Sequence, residues 1–174
     1  AAAGLALLPA PGRRSAAPGL LEWRGRALGA EAAIMLHHPD RARAQKLIAL
    51  AVAEIERLED QFSLYRDRSA LRSLNRLGVL VRPSFDMLRL LAASRRYGEL
   101  SGGAFDVTVQ PLWALHGGHF ARPDAAPEGP PRRAVEAALG LVDYRAVEVG
   151  SDAVVLSRPG MALTLNGIAQ GYIT

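Results

Sequence analysis

Ser101-Gly102-Gly103-Ala104-Phe105-Asp106-Val107-Thr108-Val109 places a glycine pair, an aromatic ring and a carboxylate directly ahead of a helix-like segment. Glycine reaches positive φ and lets a ligand approach the backbone closely, and the amides that open a helix attract anionic groups. The same residues also read as ordinary punctuation: a C-cap and turn closing one helix, and Asp106 as the N-cap of the next. On the near side, Ser84 opens an amphipathic helix expected to carry Phe85, Leu88, Leu91, Ala92 and Leu100 inward and to end at the glycine pair. On the far side, Thr108 begins a helix in which Pro111 is tolerated because it falls in the first turn.

Further upstream, Glu31–Leu36 reads as a strand after a turn at Gly29, and Asp40 is placed to cap a helix over Arg41–Gln61. Its apolar positions Ala44, Leu47, Ile48, Ala51, Val52, Ile55, Leu58 and Phe62 recur at three- and four-residue steps, which leaves Glu54 and Arg57 on the solvent face. Ser69 caps a short helix through Arg76, Gly78 stops it, and Val79–Val81 forms a brief strand halted by Pro83. Downstream, the Pro- and Gly-rich stretch from Gly117 to Pro131 reads as a loop or insertion. Val135–Leu139 then makes a short helix. Arg145–Val149 and Ala153–Ser157 alternate around Gly150-Ser151-Asp152 as a hairpin, Met161–Leu165 adds a strand, and a helix starts after Gly167. This order of elements points to α+β in one domain rather than a regular βα alternation.

With 174 residues, 49% hydrophobic and 22% charged, the chain can bury the core of one ordinary domain. It has no cysteine, which removes disulfides, thiolate metal sites and cysteine nucleophiles from consideration. The net charge of +4 favours an anionic partner, but the 21 basic residues are scattered among 17 acidic ones, and no nucleic-acid-binding signature accompanies them. Ala1 to Ala10 is apolar and small-residue-rich, and reads either as the remnant of an export signal or as a disordered leader. Residues 1–20 are therefore set apart and residues 21–174 taken as the domain. His116-Gly117-Gly118-His119 has a spacing open to a metal, yet a zinc site needs more ligands, and His37 and His38 are distant in sequence. No nucleophile elbow, P-loop or dinucleotide fingerprint is present.

Three further motifs accompany the glycine-pair loop: Phe62-Ser63-Leu64-Tyr65-Arg66, then Leu74-Asn75-Arg76, and finally Leu163-Thr164-Leu165-Asn166-Gly167-Ile168-Ala169-Gln170-Gly171-Tyr172. In this order, from about Arg26 to the last residue, they resemble the ApbE family, the FAD:protein FMN transferases. The resemblance implies an α+β single domain of the ApbE, T-fold-like type, incomplete at the C-terminus, because in that family a further segment supplies more of the sheet and an acidic metal-binding motif. It also implies magnesium-dependent transfer of FMN from FAD to a threonine of an acceptor flavoprotein, in a periplasmic, possibly membrane-associated setting with a respiratory partner. A second expectation is a non-catalytic flavin-binding protein, or a flavin donor assisting a respiratory complex such as that of nitrous oxide reduction. By the same likeness Leu28, Tyr65, Ala104, Phe105, Asp106, Thr164 and Gln170 would contact FAD, and the carbonyl of Gly167 would bind Mg2+. The family commonly shows Asp and Lys where this chain has Thr164 and Gln170, and a methionine and a threonine around the glycine of Leu28-Gly29-Ala30.

Overall fold

A computed structural model of the chain describes residues 19–27 and 30–173. The proposed leader lies outside these residues up to position 18, and so does Leu28, one of the expected flavin contacts. Leu20 already belongs to a strand that sequence reading leaves unassigned. That strand, β1 (Leu20–Ala27), pairs antiparallel with β2 (Ala30–His37), setting Leu21 opposite Leu36, Trp23 opposite Ile34 and Gly25 opposite Ala32. These pairs fall on the half-buried face, and Glu22, Arg24 and Arg26 alternate outward. The Trp23 indole lies over Gly25, where an added Cβ would come within 2.3 Å of the ring. Gly25 is therefore a strand residue chosen for the space above it, not a turn.

The helix caps follow the sequence closely. Asp40 accepts from the Arg43 amide at the start of α1 (Arg41–Phe62), and Ser69 accepts from Arg72 at the start of α2 (Ala70–Leu77). Gly78 closes α2 at a φ of 72°, a left-handed conformation that favours glycine. The chain then forms β3 (Val79–Val81) and α3 (Phe85–Leu100), the latter capped by Ser84. A 3₁₀ turn over Val107–Val109 leads into α4 (Gln110–Phe120), with Pro111 in its first turn. After α5 (Arg132–Leu139) come β4 (Val147–Val149), β5 (Ala153–Leu156) and a last helix, α6 (Ala169–Ile173). β5 lies between β3 and β4, antiparallel to both. The core joins Leu58 and Phe62 of α1, Leu71 and Leu74 of α2, and Met87, Leu90 and Leu91 of α3 to Val154, Leu163 and Leu165.

Three expectations are corrected. First, the buried stripe of α3 is Met87, Leu90, Leu91, Ser94 and Gly98, whereas Phe85 and Leu100 are 75% and 71% exposed and Ala92 is also exposed. Hydrophobicity selects the wrong phase because two inward positions are small: Gly98 lies against the Tyr144 ring, 2.9 Å from where a Cβ would stand. Gly98→Ala should therefore destabilise the protein by about 2 kcal/mol through overpacking, read as a lower urea midpoint at unchanged slope.

Second, α4 continues through Gly117 and Gly118 to Phe120, so only the segment after it is loop. His119 accounts for the extension: its Nε2 meets the Ala126 carbonyl at 2.8 Å and its ring packs edge-on to Phe120. Third, Met161–Leu165 is extended, with Met161, Leu163 and Leu165 buried, but among the described residues it pairs in no ladder. At Leu163 a side chain stands in for a strand: Asn75 donates to the Leu163 carbonyl at 2.8 Å and accepts from the Leu163 amide at 2.7 Å.

Arg57 and Glu54 are exposed as expected, and Arg57 also ties α1 to a second helix. It holds Glu54 on its own helix and reaches Asp86 on α3 at 2.8 Å, and Asp86 accepts from the Tyr172 hydroxyl of α6 at 2.8 Å. The phenol first, then the Arg57 guanidinium, hold the Asp86 carboxyl below its ordinary value, with Arg89 contributing a weaker attraction. Burial first, then the Asp86 hydrogen bond, push the Tyr172 phenol above its ordinary value. A depressed carboxyl stabilises the fold above its unfolded value and loses that contribution as pH falls, whereas a raised phenol loses its contribution as pH rises. Protection factors of α6 amides should therefore be flat between the ordinary values of 3.8 and 10.0 and decline outside them.

Candidate functional site

The loop after α3 is shaped by its two glycines, at φ values of 61° for Gly102 and 90° for Gly103. The Gly103 amide returns to the Gly98 carbonyl at 2.8 Å, and Ser101 Oγ accepts from the Phe105 amide at 3.0 Å. This turn brings Ala104, Phe105 and Asp106 up to face the segment around Thr164. The two meet directly where the Thr164 amide donates to the Val107 carbonyl at 2.8 Å. At Gly167 the position of a Cβ would lie 3.5 Å from the Phe105 ring, an ordinary van der Waals contact.

Between them lies a cleft of about 480 Å³ lined by Ala104, Phe105, Asp106, Thr164, Asn166 and Gly167. Leu64, Leu112, Trp113 and Val142 add apolar surface, and Gln110 adds an amide. A second hollow, of about 670 Å³, adjoins it across Phe105 and Gly167 and is bounded by Tyr97, Leu100, Ile168 and Tyr172. An aromatic and aliphatic lining with a few uncharged polar groups suits a flat conjugated ring bearing hydrogen-bonding edges. The volume is in the range of small-molecule sites.

Asp106 is the one charged residue in the first lining, and the fold occupies it. Its Oδ1 accepts from the Thr108 amide at 2.8 Å and from the Thr108 hydroxyl at 2.6 Å, and its Oδ2 accepts from the Tyr144 amide at 2.9 Å. Thr108, fully buried, accepts in turn from the Asp143 amide at 2.7 Å. The N-cap role is thus realised, and the carboxylate also joins the loop to the turn before β4.

The other expected contacts divide. Ala104, Phe105, Thr164 and Gly167 line the cleft, whereas Tyr65 and Gln170 are absent from both linings. Tyr65 is 65% exposed on a turn in which Ser63 Oγ accepts from the Tyr65 and Arg66 amides. Its neighbour Leu64 is the residue that reaches the cleft wall. Trp113 and Asn166 were not singled out by sequence reading. Trp113 is placed by α4, which begins immediately after the quoted loop, and an aromatic four residues into that helix was the available signal.

The anion-binding argument loses strength at Gly167, because α6 has only five residues and its macrodipole is correspondingly small. For a divalent cation, the residues lining the cleft offer neutral oxygens and the Asp106 carboxylate. Asp106 is already engaged, and among the described residues no group of three or more His, Asp or Glu could hold a metal. Magnesium prefers octahedral oxygen coordination, so these residues alone do not make its site.

The ApbE family model matches residues 28–174. The chain belongs to the ApbE family. Among solved structures it is similar to the flavin transferase ApbE from Vibrio cholerae at 25% identity and a TM-score of 0.77, over 88% of this chain and 50% of that one. A variant of the same Vibrio protein matches at 26% identity, a TM-score of 0.77 and 53% of its length. The ApbE protein of Thermotoga maritima matches at 26% identity and a TM-score of 0.73, over 88% of this chain and 50% of that one. The chain thus spans about half the length of the solved structures it matches. No curated protein matches it. Family and neighbours support the α+β fold of the ApbE type that the motifs in order had implied.

Proposed function

We propose that this chain carries the flavin-binding half of an enzyme that transfers FMN from FAD to a threonine of an acceptor flavoprotein. The observation that supports it best is the meeting of Ala104–Asp106 and Thr164–Gly167 on one aromatic-lined cleft, in a chain of the ApbE family. In this reading the isoalloxazine lies against Phe105 and Trp113, since conjugated rings gain from offset or edge contact with aromatics. Asn166, Gln110 and Thr164 meet the polar edges or the phosphates, and Asp106, in the cleft wall, sets the shape of the loop.

The acceptor hydroxyl attacks the FMN phosphorus and forms a phosphoester, the bridging bond to AMP breaks, and AMP leaves with the electron pair while the hydroxyl proton passes to solvent. Magnesium, if bound, would supply charge neutralisation on the diphosphate, and by family likeness the Gly167 carbonyl would be a ligand that this chain contributes. The protein's contribution is positioning of ring and diphosphate. An exported location, with acceptors in membrane-associated respiratory chemistry, completes the reading. No described helix is long and apolar enough to cross a membrane.

The uncharged Thr164 and Gln170 favour one alternative, flavin binding or donation without transfer, because the diphosphate then lacks a charged partner on this segment. Incubating the protein with FAD, magnesium and a threonine-bearing acceptor separates the two. The transferase reading expects covalent in-gel flavin fluorescence on the acceptor and release of AMP. Bound but unincorporated FAD would instead establish the alternative.

A further inference from the structure

Tyr172 joins the helix that follows the candidate site to α1 and α3, the two longest helices among the described residues. Its ring packs edge-on to the buried Phe62, with centroids 5.7 Å apart at 84°, and the Arg89 guanidinium sits 5.7 Å from its centroid. Its hydroxyl donates to Asp86, which is itself paired with Arg57. From Tyr172 the connection runs along the backbone into the cleft. The Tyr172 amide donates to the Ile168 carbonyl at 3.2 Å, and the Ile168 and Ala169 amides donate to Leu165 at 3.0 and 2.7 Å.

A helix of five residues has no stability of its own, so something outside it must fix its position. A hydrogen bond to an ionised carboxylate, backed by a guanidinium, is among the stronger tethers available. The exposed Glu54–Arg57 pair contributes little by itself, but it orients the guanidinium toward Asp86.

We propose that Tyr172, Asp86 and Arg57 form a latch that positions the Thr164–Gly167 turn against Phe105 for flavin binding. None of the three is a catalytic residue; Arg57, Asp86 and the Tyr172 hydroxyl act through the turn, while the Tyr172 ring, which bounds the second hollow, is kept in the test below. The proposal rests on the flavin-binding reading above, and its test is chosen to separate the two.

Tyr172→Phe keeps the ring, its contact with Phe62 and the Arg89 contact, and removes only the hydroxyl. Asp86→Asn keeps the shape and removes the charge. Hydrogen exchange without ligand, and FAD affinity followed by flavin fluorescence, are measured on both variants and on the double variant. Each single change should speed exchange of the Ile168–Tyr172 amides about tenfold and weaken FAD binding by about the same factor. The double variant should be no worse than the worse single one, because both changes open one latch. Unchanged exchange in both single variants would overturn the latch. Faster exchange with unchanged FAD affinity would overturn its positioning role and leave the flavin reading intact. If the parent protein binds no FAD, the flavin reading and the positioning role fail together, and the exchange data report separately whether the tether exists.

Discussion

Asp106→Ala should cost about 4 kcal/mol of stability, more than any other single change considered for this chain. Three donors converge on this carboxylate: the amides of Thr108 and Tyr144 and the Thr108 hydroxyl. Alanine leaves all three without an acceptor in a half-buried place where water has restricted access, and each orphaned donor costs roughly 1 kcal/mol or more. In thermal unfolding the midpoint should fall by about 10 °C for a chain of this size. Asp106→Asn is the sharper probe. Its single carbonyl oxygen can keep the Thr108 pair, but its amide nitrogen would face the Tyr144 amide, donor against donor, so about half the loss should remain. Loss of FAD affinity in either variant, taken alone, does not identify a ligand contact, because the loop that carries Ala104 and Phe105 moves with it. A drop in affinity that exceeds the fall in stability would assign Asp106 a direct contact as well.

Asn75→Ala should cost about 3 kcal/mol, read from urea unfolding at constant slope. The Asn75 amide is both donor and acceptor to Leu163, whose side chain is fully buried, so alanine orphans a backbone amide and a carbonyl together. The effect should spread to the candidate site, since Leu163 immediately precedes the turn that lines it. Asn75→Asp retains an acceptor for the Leu163 amide but meets the Leu163 carbonyl with a charged oxygen. It should be no milder than alanine. A variant as stable as the parent would show that the side chain does not replace a strand here.

Local chemistry explains what was legible in the sequence. Asp40, Ser69, Ser84 and Gly78 end their helices as their side chains or φ demand, and the hairpin around Gly150-Ser151-Asp152 forms as its alternation suggests. What escaped depends on partners far along the chain. Gly98 faces the core because the Tyr144 ring stands where its side chain would be. Arg57 and Asp86 lie 29 residues apart, and Tyr172 lies 86 from Asp86, so no local pattern links them. At the site, the order of motifs anticipated that the glycine-pair loop and the Thr164–Gly167 turn would meet. Trp113 escaped although the local signal was there: it is 61% exposed and lines the rim of the cleft from the helix that follows the loop.

The central claim is that flavin occupies the cleft between these two segments. An amide-resolved NMR titration of the 174-residue chain with FAD tests it directly, because shifts report weak binding as readily as tight binding. The account predicts saturable shifts concentrated at Ala104–Asp106, Thr164–Gly167 and the Trp113 indole, with AMP alone producing a smaller subset. Shifts confined to the α4 end around His116–Phe120 or to the β1–β2 hairpin, or none at all up to millimolar FAD, would contradict it.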